Sequence, residues 1–241
     1  MTSPAALVVP ALKRHTATVI VAHGLGDSGA GWIWLAENWR RRNKFEEVSF
    51  VFPNAPNIPI TVNMGMRMPG WYDIAEFPVA DISKRSEDEA GILRSRVTLH
   101  SLVNAEIEKG IPAHRIILGG FSQGGAMALL SGLTYEKKLG GVFGLSCYLL
   151  LKEKLRDIVP AENPNKETRI FMGHGDQDPV VQYQWGKNTA ETLKEWGWDV
   201  DFKTYPGLTH SADPEEIDDL ENYILRVVPP LGDEKKPEGS Q

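Results

Sequence analysis

Residues 115–125, Arg-Ile-Ile-Leu-Gly-Gly-Phe-Ser-Gln-Gly-Gly, constrain this chain more than any other stretch. A short apolar run of strand length ends in Gly120-Phe121-Ser122-Gln123-Gly124, and a helix-compatible segment begins at once. The pattern G-x-S-x-G between a strand and a helix describes a nucleophile elbow. A serine raised on so sharp a turn needs neighbours without a Cβ, so Gly120 and Gly124 let strand and helix pass close together. Ser122 then projects its hydroxyl at the start of a helix whose free N–H groups favour negative charge. A glycine-rich strand-to-helix turn with an incidental serine is the bland alternative. The rest of the chain has to decide.

Short apolar runs alternate with longer amphipathic stretches along the whole sequence. Strands are expected at Thr18 to Ala22, Ser49 to Phe52, Arg115 to Gly119, Gly141 to Ser146, Arg169 to Met172 and Val200 to Thr204. Several are continuous in Val, Ile, Leu and Phe rather than alternating, as in strands covered on both faces. Helices are expected near residues 30–42, 86–109, 123–137, 183–196 and 213–227. The second of these opens with a capping-box pattern at Ser86-Glu87-Asp88-Glu89 and stops at Gly110-Ile111-Pro112. This order implies an α/β fold with a mostly parallel central sheet and helices on both faces. One domain over residues 1–228 is the simplest organisation, because no repeat or linker divides the chain. Residues 229–241 have the composition of a disordered tail. The stretch 53–80 breaks the rhythm, being too rich in proline and apolar side chains for an ordinary solvated loop.

Composition excludes several classes of function. A net charge of −6, with no basic cluster larger than Arg40-Arg41-Arg42, disfavours nucleic acid and adsorption to anionic lipid. Cys147 is the only cysteine and lies in an apolar run, so it reads as a buried structural residue in a reducing compartment. No apolar run approaches a membrane span, and the N-terminus lacks the features of a signal peptide. The expectation is a cytoplasmic protein, found also in the nucleus, and either a monomer or a weak homodimer. No metal-ligating cluster and no cofactor motif appears.

A serine hydroxyl is a poor nucleophile until a base takes its proton, and the base needs a third group to orient it. In this type of fold the chain order is serine, acid, histidine, on loops after successive strands. His210, in Pro206-Gly207-Leu208-Thr209-His210, follows the last strand and alone among six histidines has the position of a base. His23 and His174 sit at glycine-flanked strand ends, where bracing a loop is the expected task. The acid is either Asp176 or Asp178 in His174-Gly175-Asp176-Gln177-Asp178-Pro179. Asp178 is favoured, having room to turn back into the site, and Asp176 would then brace its own loop. An early loop, His23-Gly24-Leu25-Gly26-Asp27, is placed to complete an oxyanion hole through the backbone N–H groups of Leu25 and Gln123. It lacks the spacing and the lysine of a phosphate-binding loop.

These pieces together resemble the acyl-protein thioesterases, a branch of the phospholipase/carboxylesterase group of α/β-hydrolases. The resemblance rests on His23-Gly24-Leu25-Gly26-Asp27, Pro53-Asn54-Ala55-Pro56, Met68-Pro69-Gly70-Trp71-Tyr72-Asp73 and Gly110-Ile111-Pro112. It extends through Gly119-Gly120-Phe121-Ser122-Gln123-Gly124-Gly125, the Asp178 loop and Tyr205-Pro206-Gly207-Leu208-Thr209-His210. It implies an α/β-hydrolase fold, with Ser122, Asp178 and His210 as catalytic triad and Leu25 and Gln123 as oxyanion donors. It also implies removal of long acyl chains from S-acylated cysteines of proteins such as Ras-like and heterotrimeric G-protein subunits. Hydrolysis of lysophospholipids and simple esters would accompany it. Met64, Met66 and Met68 at alternate positions and Trp71, with Ile58 and Ile60 nearby, would line a channel for the acyl chain. Leu149-Leu150-Leu151 and Gln182 depart from the family pattern, which bears on chain-length preference.

Overall fold

The computed structural model describes residues 5–76 and 86–232. The six expected runs, with one further strand at the edge, pair into a seven-stranded sheet whose strands, numbered as they occur, lie in the order β1-β3-β2-β6-β7-β8-β9. They are β1 (Leu7–Val9), β2 (Ala17–Ala22), β3 (Val48–Phe52), β6 (Ile116–Phe121), β7 (Gly141–Leu145), β8 (Ile170–Gly175) and β9 (Val200–Tyr205). Only β1 runs antiparallel to its neighbour; every other pairing is parallel.

Because successive side chains leave a strand on opposite faces, each parallel strand feeds two cores. Ile20, Leu118, Val142 and Met172 pack on one face beneath α2 (Glu89–Glu108), α3 (Gln123–Leu133) and α5 (Tyr183–Glu195). Val19, Val21, Ile117, Phe143 and Phe171 pack on the other beneath α1 (Ile33–Arg41) and α6 (Pro214–Val227). This is the mostly parallel sheet with helices on both faces that the alternating pattern implies. The apolar character of the strands follows directly: β2, β3, β6 and β7 have no exposed residue.

Three elements were not anticipated. The edge strand β1 is one, and the short helix α4 (Lys152–Ile158) is another. The third is a hairpin of β4 (Asn57–Ile60) and β5 (Met66–Pro69) inside the unusual stretch 53–80, of which residues 77–80 lie outside the described residues. The cap of α2 also differs from expectation. Asp88, not Ser86, accepts the Gly91 N–H at 2.9 Å, so the helix starts later than the capping-box reading places it.

The N-terminal ends of the strands are closed by a polar clasp. Glu47 accepts the Thr16 hydroxyl at 2.8 Å and the backbone N–H groups of Leu231 and Gly232 at 2.9 and 2.8 Å. Arg115 donates to the carbonyls of Thr16 and Pro229 at 2.6 and 3.0 Å. The first residues of the expected tail are thus bonded to the domain, and residues 233–241 lie outside the described residues.

Candidate active site

In a parallel sheet the loops after the strands all leave from one edge, and ligands gather there. Register brings Ala22 opposite Gly120, Phe121 opposite Leu145, and Leu145 opposite Gly173, so the ends of four neighbouring strands are level. Ser122 stands at the end of β6 with φ 53° and ψ −122°, a strained conformation for any residue with a side chain. Its N–H donates to the Leu145 carbonyl at 2.8 Å and its own carbonyl accepts the Ala126 N–H at 3.0 Å, which locks the turn. The flanking glycines are obligatory for space: a Cβ on Gly120 would stand 2.5 Å from the Ala22 oxygen, and one on Gly124 would collide with the same carbonyl.

The hydroxyl of Ser122 and His210 Nε2 are 2.9 Å apart, and His210 Nδ1 lies 2.7 Å from Asp178 Oδ2. A carboxylate on that side fixes the proton on Nδ1, which leaves Nε2 to accept the serine proton. The His210 ring packs against Phe121, with centroids 4.8 Å apart. Asp178 is buried, and its other oxygen accepts the N–H groups of Val180 and Val181 at 2.8 and 2.9 Å. Burial alone would raise its pKa. Hydrogen bonds from His174 and His210, the charge of His210 and the backbone donor outweigh burial and hold the carboxyl well below the usual range.

The other acid of that loop does something else. Asp176 accepts the Gly207 N–H at 2.8 Å, tying the Asp178 loop to the loop that carries His210. His174 is fully buried and its Nε2–H donates to the Val181 carbonyl at 2.8 Å, which holds the far side of the Asp178 turn.

His23 is a hub for the early loop. Its Nδ1–H donates to the Gly24 carbonyl at 2.7 Å, its Nε2 accepts the Ala55 N–H at 3.0 Å, and its carbonyl accepts the Trp71 indole N–H at 2.8 Å. Burial pushes its pKa down, consistent with this neutral tautomer. Gly24 comes so close that a Cβ there would touch Ser122 Cβ at 3.4 Å. Among the described residues, the loop uses the N–H groups of Gly26 and Asp27 for backbone bonds, to Pro69 and Gly24, and leaves that of Leu25 out. Gln123 is the first residue of α3, so its N–H has no intrahelical acceptor.

The Gln123 side chain has a role that composition and spacing did not suggest. Its Oε1 accepts the Trp71 N–H at 2.8 Å and its Nε2 donates to the Tyr72 carbonyl at 2.7 Å. A side-chain amide thus stands in for a backbone partner and staples the segment after β5 to the elbow. Ser95 on α2 donates its hydroxyl to the Trp71 carbonyl from the opposite side.

The four residues expected to line a channel differ widely in exposure. Met64, at the hairpin tip, and Met66 are 90% and 56% exposed, whereas Trp71 is 2% exposed and committed to His23. Met68 is half-buried and faces the early loop, its Sδ 3.8 Å from the place of a Cβ on Gly26. The apolar side chains that do converge beside that loop are Leu25, Ile58 and Ile60, all within 3.3 Å of the place of a Cβ on Gly70. Cys147 is fully buried, and burial followed by the charge of Glu216 pushes its thiol pKa up, so it has no nucleophilic character.

Comparison with known proteins agrees with this architecture. A family model described as Phospholipase/Carboxylesterase matches residues 3–228. The chain is 57% identical to Acyl-protein thioesterase 1 of Emericella nidulans, over 94% of this chain and 97% of that protein. It is 54% identical to the protein of the same name from Neurospora crassa, over 95% and 94%. Among solved structures, SOBER1 of Arabidopsis thaliana superposes with a TM-score of 0.82 at 33% identity, over 88% of this chain and 99% of that one. The chain belongs to the phospholipase/carboxylesterase family, in its acyl-protein thioesterase branch.

Proposed function

We propose that this chain is a serine hydrolase that removes long-chain fatty acyl groups from S-acylated cysteines of proteins, Ras-like and heterotrimeric G-protein subunits among them. The observation that carries the reading is the hydrogen-bonded series Ser122–His210–Asp178 at 2.9 and 2.7 Å, within a chain more than half identical to named acyl-protein thioesterases. His210 takes the Ser122 proton as Ser122 attacks the acyl carbonyl, and the N–H groups of Leu25 and Gln123 receive the oxyanion. Loss of one such donor costs on the order of a hundredfold in turnover. The cysteine sulfur, whose thiol has a pKa of about 8.5, leaves readily and carries off the proton from His210, which is again neutral. Water then attacks the acyl-enzyme, with His210 as base, and releases the fatty acid and Ser122.

Leu25, Ile58 and Met68, backed by the buried Ile60, offer apolar surface beside the oxyanion loop for the start of an acyl chain. Among the described residues no helix is long and apolar enough to cross a membrane. The proposed setting is the cytoplasm and also the nucleus, and the proposed state a monomer or weak homodimer. The family's description favours one rival, a general carboxylesterase or lysophospholipase acting on small esters. Hydrolysis of matched short- and long-chain acyl thioesters and oxyesters separates the two, with Ser122→Ala alongside. Preference for long-chain thioesters, lost by at least about ten-thousandfold in the variant, is the expected result. Better turnover of short oxyesters would favour the rival, and activity surviving in Ser122→Ala would defeat both.

A further inference from the structure

Asp213-Pro214-Glu215-Glu216 opens α6 with the spacing of a capping box. Half of the box is made, since Asp213 Oδ1 accepts the Glu216 N–H at 2.9 Å. The other half is not. Glu216 turns inward to 0% exposure, and neither carboxyl oxygen has a hydrogen-bond partner among the described residues. It lies against Gly173 of β8, where a Cβ would collide with Glu216 Oε1. Glycine in the strand makes room for a carboxyl that ordinary capping would leave in water. Burying an unmatched acid is costly, and its location is specific. β8 runs directly into the Asp178 loop, and α6 follows directly on the loop that carries His210.

Resting on the serine-hydrolase reading above, we propose that Glu216, held as a neutral acid, is a positioning residue for the triad. It fixes the His210 loop against the Asp178 loop, and its ionisation disables the site. Burial, followed by the charges of Asp213 on its own helix and Asp178 beyond β8, pushes the Glu216 carboxyl up to about 8. From β9, Tyr205 faces it as a neutral phenol whose hydroxyl donates to Asp219 at 3.0 Å. The neutral thiol of Cys147 lies across the sheet from it, beside Gly125 and Gly144. Among the described residues no cation bonds it, and the imidazoles of His174 and His210 turn to Asp178 instead. Loss of the Glu216 proton would set a second negative charge near the ionised Asp178. Like charges in a dry site repel strongly, and the first turn of α6 would relieve the repulsion by shifting, with His210 attached.

The test is the pH dependence of Ser122 labelling by a fluorophosphonate, measured with kcat and KM for a chromogenic acyl ester. It compares the full chain with Glu216→Gln and Glu216→Ala. Labelling reads the nucleophilicity of Ser122 whatever the natural acyl donor is, so it separates this inference from the choice of substrate. Wild type that is never labelled at any pH defeats the serine reading and the inference with it. The expected wild-type rate falls about tenfold between roughly pH 7 and pH 9. Glu216→Gln, isosteric with the neutral acid, is expected to rescue the rate at pH 7 to within about threefold and to lack the fall. Glu216→Ala is expected to lose about tenfold in kcat, with KM within about twofold. Superimposable profiles for wild type and Glu216→Gln would overturn the inference, as would an alanine variant with full kcat. Should the variants not fold, wild type alone decides through the infrared band of a protonated carboxyl. That band must be present at neutral pH and vanish over the range in which labelling falls; any other behaviour overturns the inference.

Discussion

Asp178 shows how much one side chain can be made to carry. Its two oxygens meet the Val180 and Val181 N–H groups on one side and His210 on the other. An amide at this position would present donors to His210 Nδ1 and force the wrong tautomer. Asp178→Asn is therefore expected to lower kcat by roughly ten-thousandfold while KM changes little. The depressed carboxyl also has a signature in stability. The unfolded chain's aspartate ionises near pH 4, so the contribution of Asp178 is complete above that pH. It is lost as pH falls toward the lower folded value. Thermal midpoints below about pH 4 should drop more steeply for wild type than for Asp178→Asn. The order Ser122, Asp178, His210 was legible because each residue sits in a loop that follows an expected strand. The competition between Asp176 and Asp178 was not closed by position alone; it turns on which side chain faces His210, and Asp176 instead bonds Gly207. The inward turn of Glu216 was hidden for a related reason, since Asp213-x-x-Glu216 reads as a solvent-facing cap.

At the scale of elements, the buried strands were legible and the short or irregular pieces were not. β1 has three residues at the sheet edge, too few for a period to register. The β4–β5 hairpin carries Pro59 and Pro69 within its strands, which ordinarily argues against strand. Helix α4 starts from Leu151 with φ 48° and takes its cap from Glu87, whose carboxylate accepts the Leu151 N–H at 3.0 Å. A cap supplied from 64 positions away leaves no local signal. Gln123 likewise joins two elements that are remote in sequence. Truncating it removes both bonds, and taking the acceptor from the buried Trp71 N–H alone costs about 1–3 kcal/mol. Gln123→Ala should lower unfolding free energy in urea by roughly 2 kcal/mol or more. Its turnover should fall as well, because the segment beside the oxyanion loop is no longer held.

For the whole molecule, alternation foretold a parallel sheet but not its strand order, which depends on which crossovers pack against which face. Nor could composition reveal that Glu47, the second of two acids before β3, gathers Thr16 and the Leu231-Gly232 segment into one contact. Glu47→Ala removes a charged acceptor from three donors, and a loss of about 2–3 kcal/mol is expected. In a domain of this size that corresponds to a fall of roughly 5–10 °C in thermal midpoint. Turnover at pH 7 should stay within about twofold, since the clasp and Ser122 occupy opposite ends of the strands. Calorimetry with an ester assay checks both. The clasp also fixes where the described chain leaves the domain: residue 232 stands at the end of the strands remote from Ser122. A tether drawn tight at that residue would pull on the back of the sheet and leave the serine's side untouched.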